Sequence, residues 1–120
     1  MSFEAMLPYP PSVNTYWRHP TKGPLAGRHL ISEKGREYRS QVMSAIGKRE
    51  PLRGRLSIGI IAYAPDKRRR DLDNILKSLL DAIASAGVIE DDSQFDCIKI
   101  VRGDITDGGA VFVKIQQETK

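Results

Sequence analysis

One cysteine and two histidines are all that the 120 residues contain of these types. Cys97 alone cannot close an intrachain disulfide. Together with His19 and His29 it makes too small a set for a structural zinc site. No apolar run approaches the ~20 residues that would span a bilayer, so no membrane partner is expected. Met1 to Tyr9 has neither the basic start nor the long apolar segment of a secretory signal, and an intracellular, cytoplasmic location is therefore expected. Internal repeats, low-complexity tracts and linkers are also lacking. The length suits one domain with a real core and no second one, so residues 1–120 are expected to form a single domain.

What is present is a soluble-type composition, 40% hydrophobic, and a charge that is unevenly placed. Residues 1–70 carry 14 Lys and Arg against 5 Asp and Glu (+9), whereas residues 71–120 carry 5 against 10 (−5), which together make the net +4. Such polarisation suggests a basic surface for an anionic polymer beside an acidic centre, although basic side chains can also merely solvate helix faces. The boundary between the two halves is the densest part of the chain: Arg68-Arg69-Arg70 runs directly into Asp71-Leu72-Asp73-Asn74, with Lys77 one turn later and Glu90-Asp91-Asp92 beyond. Arginines attract phosphate and clustered carboxylates repel it unless a divalent cation intervenes. That combination is what metal-assisted cleavage of a phosphodiester requires.

Periodicity supplies the scaffold. Phe3, Ala5 and Leu7 alternate with polar neighbours as a short strand ended by Pro8, Pro10 and Pro11. Lys22 to Arg28 is Gly/Pro-rich and basic, and reads as a mobile surface loop. Ser32 can cap a helix to about Lys48 with Tyr38, Val42, Ala45 and Ile46 on its buried side. Arg55 to Ala64 reads as a central strand with Leu56, Ile58, Ile60 and Ala62 on one face. Leu72, Ile75, Leu76, Leu79, Leu80 and Ile83 form the apolar stripe of a second helix that stops at Gly87. Phe95 to Arg102 and Ala110 to Gln116 look like two strands joined as a hairpin through Asp107-Gly108-Gly109. The order β-α-β-α-β-β predicts an α+β, two-layer domain, a mixed sheet of about four strands with two main helices on one face.

Asp71 and Asp73 point the same way in extended backbone but diverge by roughly 200° in a helix, so they cooperate best just before the helix begins. Asp92 can rejoin them. A helix from Asp73 to Gly87 climbs about 21 Å, and five extended residues recover about 16 Å. The remaining gap of about 5 Å is one that side chains and Mg²⁺ can bridge. Asn74 adds a neutral oxygen ligand or a phosphate donor, and Lys77 can pair with Asp73 or reach a phosphate. Taken singly, each has a bland role: Asp71 or Asp73 as a helix cap, Lys77 as a surface partner, Asp91-Asp92-Ser93 as a solvated turn. An EF-hand beginning at Asp71 is excluded because Leu76 and Ala82 stand where glycine and a carboxylate are required.

Near the start, LPYPPSVNTYWRH mixes aromatics with polar groups. Tyr16 and Trp17 are either core or stacking platforms for bases, while Asn14 and Arg18 can touch phosphate or base edges. This segment, with HLISEKGREYR in the first helix, RRRDLDNILKSLLDAI and GVIEDD, resembles the RusA-type Holliday junction resolvases of bacteria and their prophages over nearly the whole length. The resemblance implies a homodimeric, Mg²⁺-dependent endonuclease, with Mn²⁺ as a substitute, that makes paired nicks in four-way DNA junctions during recombination and repair. It also implies a location with the nucleoid of a bacterial or prophage host. By motif position, Asp71, Asp73 and Asp92 resemble the metal-binding catalytic carboxylates, Lys77 an essential neighbour, and Arg70 and Asn74 supporting groups, with Asp91 adjoining. Arg68, Arg69 and Arg70 would position the DNA backbone. The Pro20 to Arg28 loop departs from the family pattern and is longer. The alternatives are a non-catalytic DNA-binding protein, a nuclease acting on other branched or plain DNA, or an assembly protein whose basic face takes an acidic partner.

Overall fold

The computed structural model describes residues 2–28 and 30–118; His29, in the HLISEKGREYR segment, lies outside them. Six strands and three helices follow the order β1 (Ser2–Leu7), α1 (Val13–Tyr16), β2 (Trp17–Arg18), β3 (Leu30–Ile31), α2 (Glu33–Ile46), β4 (Leu56–Tyr63), α3 (Asp73–Ser85), β5 (Phe95–Arg102) and β6 (Ala110–Gln117). The main sheet is mixed and four-stranded, ordered β1-β6-β4-β5, and β2-β3 form a small separate ribbon. The expected α+β architecture, with two substantial helices beside one sheet, is therefore what the chain adopts.

β4 is central because its helix-side residues are apolar throughout: Leu56, Ile58, Ile60 and Ala62 are all buried. Opposite them Ile75, Leu79, Leu80 and Ile83 of α3 and Tyr38 and Val42 of α2 close the core. Each such Leu or Ile stabilises the fold by about 1.5–3 kcal/mol through burial. The seam of α2 follows i, i+4 spacing, so Tyr38 and Val42 are buried and Ile46 partly so, whereas Ala45, expected on the same side, is exposed.

The hairpin expected between β5 and β6 does not form. β5 pairs parallel with β4 and β6 pairs antiparallel with the other edge of β4, so β4 separates them. The Gly-Gly turn itself is present: Gly109 N–H donates to Thr106 C=O at 2.8 Å, with Gly108 at φ 81°. It closes a connection across the end of β4 and does not join paired strands. Two apolar strands in succession suit a hairpin and a split pair equally well, and the choice falls to the intervening central strand, which has two free edges to satisfy.

Helix α3 ends as its sequence predicts. Gly87 takes φ 83°, its N–H donates to Ala84 C=O at 3.0 Å and Val88 N–H to Ile83 C=O at 3.3 Å, the Schellman pattern. The following Val88 and Ile89 are buried, and Leu52 bridges Ile89 in parallel. This reversal sends the chain back along α3 toward the helix start. On the far side of the sheet, directly opposed residues Met6, Phe112, Ile61 and Val101 make an apolar row in which Met6 and Val101 are exposed.

Candidate active site

Two carboxylates stand at the head of α3. Asp73 is its first residue and Leu72, in the N-cap position, has helical dihedrals (φ −61°, ψ −36°) and offers no side-chain cap. The extended backbone expected through Asp71–Asp73 therefore gives way to helix one residue early, which sets Asp73 against the positive end of the helix dipole. Both acids are exposed. Among the described residues, neither side chain makes a hydrogen bond or ion pair, so the role of helix cap is filled by neither. Asn74 is exposed beside them on the first turn.

The arginine run forms a tight loop, and the three side chains are unequal. Arg70 donates to the Asp66 carboxylate at 2.7 Å and to the carbonyls of Asp66 and Arg68, each at 3.2 Å. Its guanidinium lies 5.9 Å from the centre of the Tyr9 ring, and Arg102 donates to its carbonyl at 2.7 Å. Arg68 turns back on Asp66 but stays 80% exposed. Arg69 is exposed and, among the described residues, without a partner. The hydrogen bond from Arg70, then that from the Arg68 backbone N–H, hold the Asp66 carboxyl well below the usual carboxylate range. Two cavities of about 310 and 340 Å³ adjoin here, and both are lined by Tyr9, Arg69, Arg70 and Asp71.

Asp92 returns to the flank of α3, where its Oδ2 lies 3.8 Å from Lys77 Nζ. Gln94 holds this return in place. Its Oε1 accepts from the backbone N–H of Glu90 (2.7 Å) and Asp91 (3.0 Å), while Nε2 donates to Leu52 and Gly54 carbonyls, each at 3.0 Å. Asp91 caps the following 3₁₀ turn by accepting from Ser93 N–H at 2.9 Å, and bonding to Ser93 lowers its pKa. Exposed hard oxygen donors fit a divalent cation in kind. In arrangement, no group of three or more His, Cys, Asp and Glu able to hold a metal occurs among the described residues. Asp92 has Lys77 as its counter-charge instead.

The N-terminal segment divides between core and surface. Tyr16 is fully buried and packs edge-on against half-buried Trp17, with centroids 5.1 Å apart, so the core role and not base stacking holds for Tyr16. Its hydroxyl donates to Asp81, to which Arg39 also donates at 2.7 and 2.9 Å, tying all three helices together. Burial and then the bond to Asp81 push the Tyr16 phenol far above its ordinary pKa. Asn14 on α1 and Arg18 on β2 are exposed. Ser78 anchors the segment to α3 by donating to Pro11 C=O at 2.6 Å.

Sequence reasoning missed Asp66, Tyr9, Arg102 and Gln94. An Asp two residues before the arginine run is a turn signal, and Gln94 stands at capping-box spacing from Asp91; Tyr9 and Arg102 lie far away in sequence and carry no local mark.

The family model described as Endodeoxyribonuclease RusA matches residues 8–116, a span that holds the arginine loop, both acidic groups and Lys77. The chain belongs to that family. Its relatives include the crossover junction endodeoxyribonuclease of Enterobacteria phage HK97, 46% identical over 118 residues, covering 96% of this chain and 94% of the relative. The crossover junction endodeoxyribonuclease RusA of Shigella sonnei (strain Ss046) is 37% identical over 123 residues, covering 97% and 95%. That of Escherichia coli (strain K12) is 36% identical with the same coverage. Among the described residues no helix is long and apolar enough to cross a membrane.

Proposed function

We propose that the chain is a structure-selective endodeoxyribonuclease that resolves four-way DNA junctions by paired nicks. One observation carries this most: two exposed carboxylates at the head of α3 without partners among the described residues, directly after a cationic loop and one turn from the Lys77–Asp92 pair. Exposed Arg69, with Arg68, would take the phosphate backbone, and Asn14, Arg18 and Asn74 would add contacts to backbone or base edges. Arg70, held by Asp66, would shape the track. Asp71, Asp73 and Asp92 would hold Mg²⁺, or Mn²⁺ in its place, and such an ion supplies a Lewis acid for the phosphate and an activated water. Lys77 would stabilise charge developing on the phosphate, because its side chain is 60% exposed and free to leave a 3.8 Å pair with Asp92.

A four-way junction has approximate two-fold symmetry, so an isologous homodimer would offer one site for each of two incisions. The apolar row Met6, Phe112, Ile61 and Val101, flanked by Glu4, Lys114 and Lys99, would supply a face for that association. The test is cleavage of a synthetic four-way junction, a fork and a linear duplex at matched salt, with and without Mg²⁺. Paired nicks in the junction that need the metal are expected. Equal cutting of all three would refute junction selectivity, and junction binding without any nicking would leave a non-catalytic DNA-binding protein.

A further inference from the structure

The loop that delivers Asp71 to α3 is organised by a residue outside the carboxylate group. Asp66 follows β4, and its Oδ1 accepts from the Arg68 backbone N–H at 3.0 Å as well as from Arg70 at 2.7 Å. Arg70 closes the loop on itself through the Asp66 and Arg68 carbonyls and keeps only 22% of its side chain exposed. Its guanidinium is therefore already supplied with acceptors, unlike that of Arg69. The same arginine lines both cavities that flank Asp71, so its placement shapes the approach to that carboxylate from two sides.

We propose that Asp66 is a positioning residue of the active site: by clamping Arg70 to the loop backbone it sets the path of residues 67–71, and with it Asp71 and Arg69, before DNA arrives. This rests on the endonuclease function proposed above. A carboxylate placed beside a phosphate track lowers affinity by repulsion, so Asp66 is a poor choice for a residue that serves binding. A fixed loop instead serves the chemical step, where misplacement of a reacting group by about 1 Å can cost ~100-fold in rate. The two effects oppose one another and can be read separately.

The experiment compares junction cleavage by the unmodified chain with Asp66→Asn, Asp66→Ser, Arg70→Gln and the Asp66→Asn/Arg70→Gln double variant. Both Asp66 variants are expected to bind junction as tightly as the parent or up to ~3-fold more tightly at low salt, while kcat falls at least ~10-fold. Because Asp66 acts through Arg70, adding Asp66→Asn to Arg70→Gln should change kcat by less than ~2-fold, a coupling that independent sites do not show. Retention of parental kcat in both Asp66 variants would overturn the proposal. So would a full additional loss in the double variant, or a fall in melting temperature large enough to unfold both variants under assay conditions. Failure of the unmodified chain to cut any junction would instead refute the endonuclease function itself.

Discussion

Replacing Asp73 by Asn separates the chemistry of this site from the stability of the fold. The side chain is exposed and makes no hydrogen bond or ion pair among the described residues, so folding loses only its attraction to the α3 dipole. That attraction is about 0.3–1 kcal/mol, a fall in melting temperature of about 1–5 °C for a chain of this length. Junction affinity should not suffer. A negative charge about 6 Å from a phosphate in water costs roughly 0.7 kcal/mol, so its removal should tighten binding by about 3-fold at low salt. Cleavage should nevertheless fall by about 10²–10³, the order seen when one preorganised electrostatic group is removed from an active site. Thermal denaturation, junction binding and single-turnover cleavage with Mg²⁺ measure the three quantities on one preparation. Cleavage within about 3-fold of the parent would refute the assignment of Asp73, and a melting temperature lowered by more than ~10 °C would show that Asp73 is committed to the fold after all.

Gln94→Ala should release the segment that carries Asp92 and leave Leu52, Gly54, Glu90 and Asp91 backbone groups without their partner. A stability loss of about 2–4 kcal/mol by chemical denaturation is expected, with slower cleavage even well below the midpoint; parental kinetics would show that Asp92 is held by other means. Tyr16→Phe removes the hydroxyl's bond to Asp81 and the one it accepts from Arg39 at 3.0 Å but leaves Asp81 its two from Arg39, so a loss of about 1.5–3 kcal/mol is expected, and no loss would dismiss the three-helix tie. The same residue makes stability pH-dependent. Its phenol is raised above 10.0 in the folded chain, so its contribution is present below pH 10 and is lost as pH rises from there toward the folded value. Denaturant melts across pH 9–11 should show a smaller alkaline decline for Tyr16→Phe than for the parent, and identical declines would remove Tyr16 as a source.

Some of this architecture could be read residue by residue because it depends on local chemistry. The stripe from Leu72 to Ile83 and the stop at Gly87 define α3, since helix period and a left-handed glycine act within a few residues of themselves. Ser32 likewise marks the start of α2, where its hydroxyl accepts from Gly35 N–H at 3.0 Å. The short elements α1, β2 and β3 carry too few residues for any period to emerge; Tyr16 and Ser78 pin α1 and the segment before it to the larger helices, and β2 and β3 pair with one another. The length of α3 and its tight reversal return Asp92 to the flank of the helix, 3.8 Å from Lys77, whereas the expected gathering of Asp92 with Asp71 and Asp73 into one group does not occur among the described residues.

By itself the sequence determined which groups this protein can use: a cationic run, two acids beside it and a helix to present them, all legible because neighbours in the chain remain neighbours in space. Only the tertiary structure decided that β6 crosses to the far edge of β4, that Arg70 belongs to Asp66 and Tyr9 while Arg69 remains exposed, and that Gln94 fixes the path of Asp92. Those outcomes depend on pairings between distant segments, where burial and hydrogen-bond satisfaction over the whole domain choose among partners that local pattern leaves equivalent.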